Sequence, residues 1–187
     1  MYKNTKAIGK IGLFGSTRVL VISALFIAMS IVLGKLLAFN VTSYIRISFE
    51  NLTVLMAGIF FGPLVGAAVG AGADIIGCFV AGYSINPIIT LGAASVGLIS
   101  GLVFSRTSGI RPILRILASA GAAHIIGSML IKSIGLRVYY GYPLEWLLWR
   151  IPVYIGIGLL ESYIIHLLTS NRAFAAQLEK ARGYGRS

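Results

Sequence analysis

Residues 56 to 74 read Met56-Ala-Gly-Ile-Phe-Phe-Gly-Pro-Leu-Val-Gly-Ala-Ala-Val-Gly-Ala-Gly-Ala-Asp74, and this stretch decides the fold. It is apolar almost throughout, carries glycine at positions 58, 62, 66 and 70, and ends on a single carboxylate. Proline is favoured at the start of a helix and disfavoured further in, so Gly62-Pro63 joins two apolar helices with almost no loop. Small residues four apart share one helix face and let helices approach closely in lipid. An Asp in such a run costs several kcal/mol if left in hydrocarbon, so Asp74 points into a cavity or at a partner.

Composition extends this reading to the whole chain. Of the 187 residues, 57% are hydrophobic and only 11% charged, with a mean hydropathy of +0.90, and a soluble domain could not hide that much apolar surface. A span needs roughly 20 apolar residues, and turn signals divide the sequence into helices near 17–38, 49–61, 63–81, 87–105, 111–133 and 146–169. The expected fold is an all-α integral membrane protein of the cell membrane, one compact bundle of six transmembrane helices. Basic tails, 1–16 and 171–187, flank it. The first apolar run lasts about twenty residues without a small-residue cleavage site, so it reads as helix one and not as a cleaved signal.

The net charge of +11 does not indicate nucleic acid, because no soluble scaffold arrays the Lys and Arg. Membrane topology accounts for it. Lys3, Lys6, Lys10, Arg18, Arg106, Arg111, Arg115, Arg172, Lys180, Arg182 and Arg186 share one side if there are six spans; Lys35, Arg46, Lys132, Arg137 and Arg150 make up the rest. Both termini are therefore expected to be cytoplasmic, with residues 39–48, 82–86 and 134–145 outside. The tail from Asn171 reads as an interfacial or disordered basic segment drawn to anionic membrane lipid.

Few residues can carry chemistry. Asp74 reads as an acceptor for paired N–H donors of a ligand or as the partner of a buried Arg such as Arg150. Arg150, beside Trp146, suits a carboxylate or snorkels within an aromatic belt. Glu161 pairs with Lys132 or His124, and no second His or Cys stands at metal spacing. The outward segments combine rings and amides, among them Phe39, Tyr44, Arg46, Tyr83, Asn86 and Trp146, a composition shared by flat heteroaromatic sites and aromatic belts. Pro87 restricts Asn86 and fixes it at a helix mouth. Ala24 and Ala28 give helix one a small-residue face for internal packing or for another membrane protein. There is no phosphate-binding loop of the G-x-x-x-x-G-K-[ST] type, no catalytic set arguable from spacing, and only five acidic residues, so neither an enzyme nor a bound metal or cofactor is expected.

The segment Arg46-Ile-Ser-Phe-Glu-Asn-Leu-Thr-Val-Leu-Met-Ala-Gly-Ile-Phe-Phe-Gly-Pro-Leu-Val-Gly-Ala-Ala-Val-Gly-Ala-Gly-Ala-Asp74 resembles the substrate-binding (S) components of energy-coupling factor (ECF) vitamin transporters, most of all the folate-specific members. Tyr83-Ser-Ile-Asn-Pro-Ile-Ile-Thr, Arg150-Ile-Pro-Val and Ala24-x-x-x-Ala28 extend the likeness over about residues 17–170. Where related sequences often carry Phe-Pro-Gly-Phe-Thr, this chain has Ile-Asn-Pro-Ile-Ile-Thr. The resemblance implies high-affinity capture of folate from outside. It implies docking through Ala24 and Ala28 on a transmembrane coupling (T) protein, and release powered by two cytoplasmic ATPases as the S component topples. Residues 39–46 and 82–86 would act as gates. It places Asp74 and Asn86 on the pterin edge, Tyr83, Phe39 and Trp146 in stacking, and Arg46 and Arg150 on the glutamate carboxylates. The alternatives are an S component for thiamine, riboflavin or a pantothenate-like acid, a membrane enzyme acting on lipid or isoprenoid substrates, or a membrane protein without a ligand. The enzyme reading needs paired acidic motifs, which the sequence lacks.

Overall fold

The computed structural model describes residues 17–35, 37–40 and 46–183; the basic segment 1–16, Tyr44 and residues 184–187 lie outside the described residues. The described elements are α1 (Thr17–Lys35), β1 (Phe39–Asn40), β2 (Arg46–Ile47), α2 (Glu50–Phe61), α3 (Pro63–Ala81), α4 (Pro87–Arg106), α5 (Pro112–Tyr140), α6 (Leu144–Ser170) and α7 (Arg172–Gly183). Among the described residues five long apolar helices, α1, α3, α4, α5 and α6, can each cross a membrane. The sixth apolar helix, α2, has 12 residues and is about 18 Å long, shorter than a hydrocarbon core of about 30 Å. Its N-terminus therefore starts inside the bundle, below the antiparallel ribbon in which Phe39 faces Ile47 and Asn40 faces Arg46.

Local chemistry sets the boundaries. Asn86 caps α4 by accepting from the N–H groups of Ile88 and Ile89 at 3.0 and 3.3 Å, ahead of Pro87. Gly62 turns the chain from α2 into α3 at a φ of 98°, a conformation that favours glycine. Two boundaries differ from expectation. The fifth helix continues through residues 134–140, expected in an outward loop, and His124–Ile131 within it are π-helical. The tail after Asn171 is helical as well, because Asn171 caps it by accepting from the N–H groups of Ala173 and Phe174.

Helix packing follows the small residues. α3 and α4 form the most extensive contact, and a Cβ added to Gly97 would fall 2.0 Å from the carbonyl oxygen of Gly66. The two backbones touch directly, which is what small-residue faces permit in lipid. Gly97→Val is accordingly expected to destabilise the bundle by about 3 kcal/mol or more, at the top of the usual overpacking range, since neither backbone can retreat. Thermal unfolding in detergent measures this, with Gly156→Ala, where no atom lies within 4 Å, as the tolerated control.

The core runs through Leu55, Val69, Val96, Ala120, Ala123 and Ile165. At one end it takes in Val19 of α1 together with Ala181 of α7, and the Phe60 and Phe174 rings stand 5.8 Å apart. α7 thus folds under the bundle at the end where α1 begins. The opposite end carries the β1–β2 ribbon, residues 82–86 and residues 141–143. Along α1, Val19, Ser23, Ser30 and Gly34 are buried, whereas Leu20, Ala24, Leu25, Ala28 and Met29 are exposed.

Candidate functional site

The ionisable residues at membrane depth gather toward the ribbon end. Counting from the helix ends at a rise of 1.5 Å per residue, Asp74 lies about 10 Å inside α3, Lys132 about 12 Å inside α5 and Arg150 about 9 Å inside α6. With α2 beginning at Glu50, these four residues occupy one layer.

Asp74 does not pair with Arg150. Its Oδ2 accepts from the Thr90 hydroxyl at 2.6 Å, and the same hydroxyl sits 3.1 Å from the backbone carbonyl oxygen of Asn86. Thr90 therefore ties α3 to the mouth of α4 and leaves the other carboxylate oxygen available. Asn86 is 4% exposed; its Oδ1 serves the helix cap, while its Nδ2 is buried and has no hydrogen-bond partner. Sequence placed Asn86 at the mouth, and the structure adds that only its donor side remains free.

The ion pair that forms was not expected. Lys132 Nζ donates to Glu50 Oε1 at 3.0 Å, joining α5 to the start of α2, and Ser30 of α1 donates to the backbone carbonyl of Glu50 at 2.7 Å. Lys132 is 6% exposed, so this charge is held inside the protein, with Asp74 and Tyr154 in electrostatic reach. Arg46 and Lys35 lie in similar reach of Glu50. Lys132 thus meets Glu50 and not Glu161. A short apolar helix that starts on a carboxylate is the signal for a cation opposite it. Glu161 instead bonds His124 at 2.7 Å, both of them essentially fully buried.

The remaining predicted residues lie around this layer. Arg46 is on β2, half-buried, and its Nε is buried without a hydrogen-bond partner. Arg150 donates through Nη2 to the Ser128 carbonyl at 3.2 Å and to the Tyr154 hydroxyl at 3.3 Å, and its Nε is likewise buried and unpartnered. Phe39 is 70% exposed on the ribbon, Tyr83 receives the Lys35 ammonium 4.9 Å from its ring centroid, and Trp146 is half-buried at the start of α6. The layer and its rim thus set Lys35, Arg46, Lys132 and Arg150 against Glu50 and Asp74, while Arg137 and Glu145 further out cancel each other. The excess is two positive charges. Such a site combines a carboxylate acceptor, a buried amide donor and two guanidinium edges, which suits a polar heterocycle bearing carboxylates. Among the described residues no cluster of three or more His, Cys, Asp or Glu is placed to hold a metal.

Comparison with known proteins identifies a family, a relative and several structural neighbours. The family model described as "ECF transporter, substrate-specific component" matches residues 18–171. The folate transporter FolT of Clostridium novyi (strain NT) is 29% identical over 124 residues, 66% of this chain and 70% of that protein. Among solved structures, a crystal structure of FolT bound with folic acid superposes with a TM-score of 0.67 at 22% identity, covering 82% of this chain and 93% of that one. The S component of a bacterial ECF transporter gives 0.66 at 21% identity, covering 87% and 98%. The two structures share the fold.

Proposed function

The chain belongs to the substrate-specific components of ECF transporters, multi-pass cell-membrane proteins that are non-catalytic, and from that premise we propose that it captures folate from outside the cell. The observation that carries this reading is that Thr90 bridges the Asp74 carboxylate to Asn86, whose amide donor is orphaned, at the start of α4 and below an excess of two positive charges. A pterin presents adjacent N–H donors and ring acceptors on one edge. The free Asp74 oxygen accepts from the donors, and Asn86 Nδ2 donates to a ring acceptor. Folate also carries two glutamate carboxylates, which match the charge excess, and Arg46 and Arg150 each keep a buried Nε for them. Phe39 and Tyr83, on the connections around the mouth, and Trp146, in the first turn of α6, supply rings to cover the ligand. The similarity to a folate transporter supports the same substrate.

In this reading the ribbon end faces outward and both termini face the cytoplasm, as the Lys and Arg count favours. The ATP-driven step falls to two partner ATPases and a T protein. The test is calorimetry on the detergent-purified chain with folate, thiamine and riboflavin. Folate is expected to bind at micromolar concentration and the other two not. Thiamine is a cation that would meet uncompensated Arg46 and Arg150. No heat with folate or a reduced folate overturns the reading.

A further inference from the structure

The His124–Glu161 pair has no place in the folate reading so far, although it is the most deeply buried ionisable pair in the bundle. His124 is 1% exposed and Glu161 0%, their contact is 2.7 Å, and Glu161 Oε1 has no hydrogen-bond partner. A buried pair of this kind is weak evidence for stability, because apolar residues of the same volume often serve a core as well. Its contacts lead to Arg150. His124 Nδ1 lies 3.2 Å from Ser128 Oγ, and its ring lies against Tyr154 at a centroid distance of 5.5 Å. Ser128 and Tyr154 are the two groups to which Arg150 Nη2 donates.

The π-helical turn explains why the Ser128 carbonyl is available. Lys132 donates its N–H five residues back to the Gly127 carbonyl, and the chain then returns to α-helix. A helix that changes from five-back to four-back bonding passes over one carbonyl, and here that carbonyl is Ser128's. It accepts from Arg150 instead of from the helix. Both residues that support Arg150 therefore touch His124, and His124 is held from the far side by Glu161.

We propose that His124 and Glu161 are positioning residues for the anionic end of the ligand: through Ser128 and Tyr154 they hold Arg150 in place, with its buried Nε left unpartnered for a carboxylate. The proposal deepens the folate reading and rests on it. It is tested by measuring the affinities of folic acid and of 6-methylpterin, which has no carboxylate, for the full chain and for Glu161→Leu, Glu161→Gln and Ser128→Ala, with thermal stability recorded for each. Glu161→Leu is expected to weaken folic acid about tenfold, the loss of one well-placed charge-assisted hydrogen bond, while leaving 6-methylpterin within about twofold. Glu161→Gln keeps an acceptor for the imidazole N–H and is expected to bind both ligands nearly as the unaltered chain does. Ser128→Ala removes the His124 contact but not the carbonyl, and is expected to weaken folic acid selectively even if Glu161→Leu fails to fold. Equal losses for both ligands, or no loss for folic acid, would overturn the positioning role. Failure of the unaltered, folded chain to bind folic acid overturns the folate reading itself, and the positioning role with it.

Discussion

Asp74→Asn is expected to weaken folate binding by about a hundredfold or more while the bundle stays folded. The carboxylate uses one oxygen for Thr90 at 2.6 Å, and an amide oxygen accepts that hydroxyl equally well, so the tie between α3 and α4 survives. The loss falls on the free oxygen. As a carboxylate it accepts two N–H donors from a pterin edge; as an amide it turns an NH2 group toward them. Hydrogen bonds to a charged group are each worth about 1.5–3 kcal/mol, and two such bonds correspond to the stated factor. Calorimetry on purified Asp74→Asn measures it, with the melting temperature reporting the fold. An affinity within about threefold of the unaltered chain would leave Asp74 as a packing residue that only holds Thr90. Asp74→Ala is the harsher variant, because it also removes the tie between α3 and α4 and leaves the Thr90 hydroxyl with the Asn86 carbonyl alone.

Ala24→Trp is expected to leave folate affinity unchanged and to abolish folate uptake by cells that contain the T protein and the ATPases. Ala24 and Ala28 are exposed on α1, one turn apart, with Leu20, Leu25, Met29 and Val32 exposed around them. The opposite face, through Val19, Ser23 and Ser30, is the one turned to the bundle and to Glu50. An indole at position 24 therefore enters no space that the ligand layer uses. It fills the space over the two alanines through which a partner helix would approach to backbone contact. Uptake of labelled folate in cells and calorimetry on the purified variant separate the two effects. Normal uptake would remove this face from the partner interface, and loss of binding would place it against the ligand site.

The two experiments divide the protein along the line that its residues draw. The proposed ligand layer depends on side chains brought in from α2, α3, α4, α5 and α6, whereas the α1 face depends on α1 alone. That difference decides how much could be read in advance. A small-residue face at four-residue spacing is a property of one helix, and Ala24 and Ala28 were visible from their spacing, although whether they faced inward or outward was not. Asn86 was visible for a similar reason, since the following proline fixes a helix start within three residues.

The amino-acid sequence by itself determined the membrane class, the apolar helices, the Gly62-Pro63 hairpin and the capped start of α4, because hydropathy, proline and capping act over a few residues. It did not place the end of α5, which runs on past the expected end at 133 through Arg137 to Tyr140, nor α7, whose Asn171 cap lay inside a basic run. Only the tertiary structure decided which buried charges meet. Glu50 finds Lys132 across 82 positions of chain and His124 finds Glu161 across 37. Such pairings depend on the rotation of each helix about its axis, which is set where Gly66 and Gly97 bring α3 and α4 into backbone contact. Short-range pattern gives a helix its boundaries, but its rotation is fixed by neighbours that are distant in sequence. For that reason Asp74 answers to Thr90, and Arg150 to a carbonyl released by a π-helical turn.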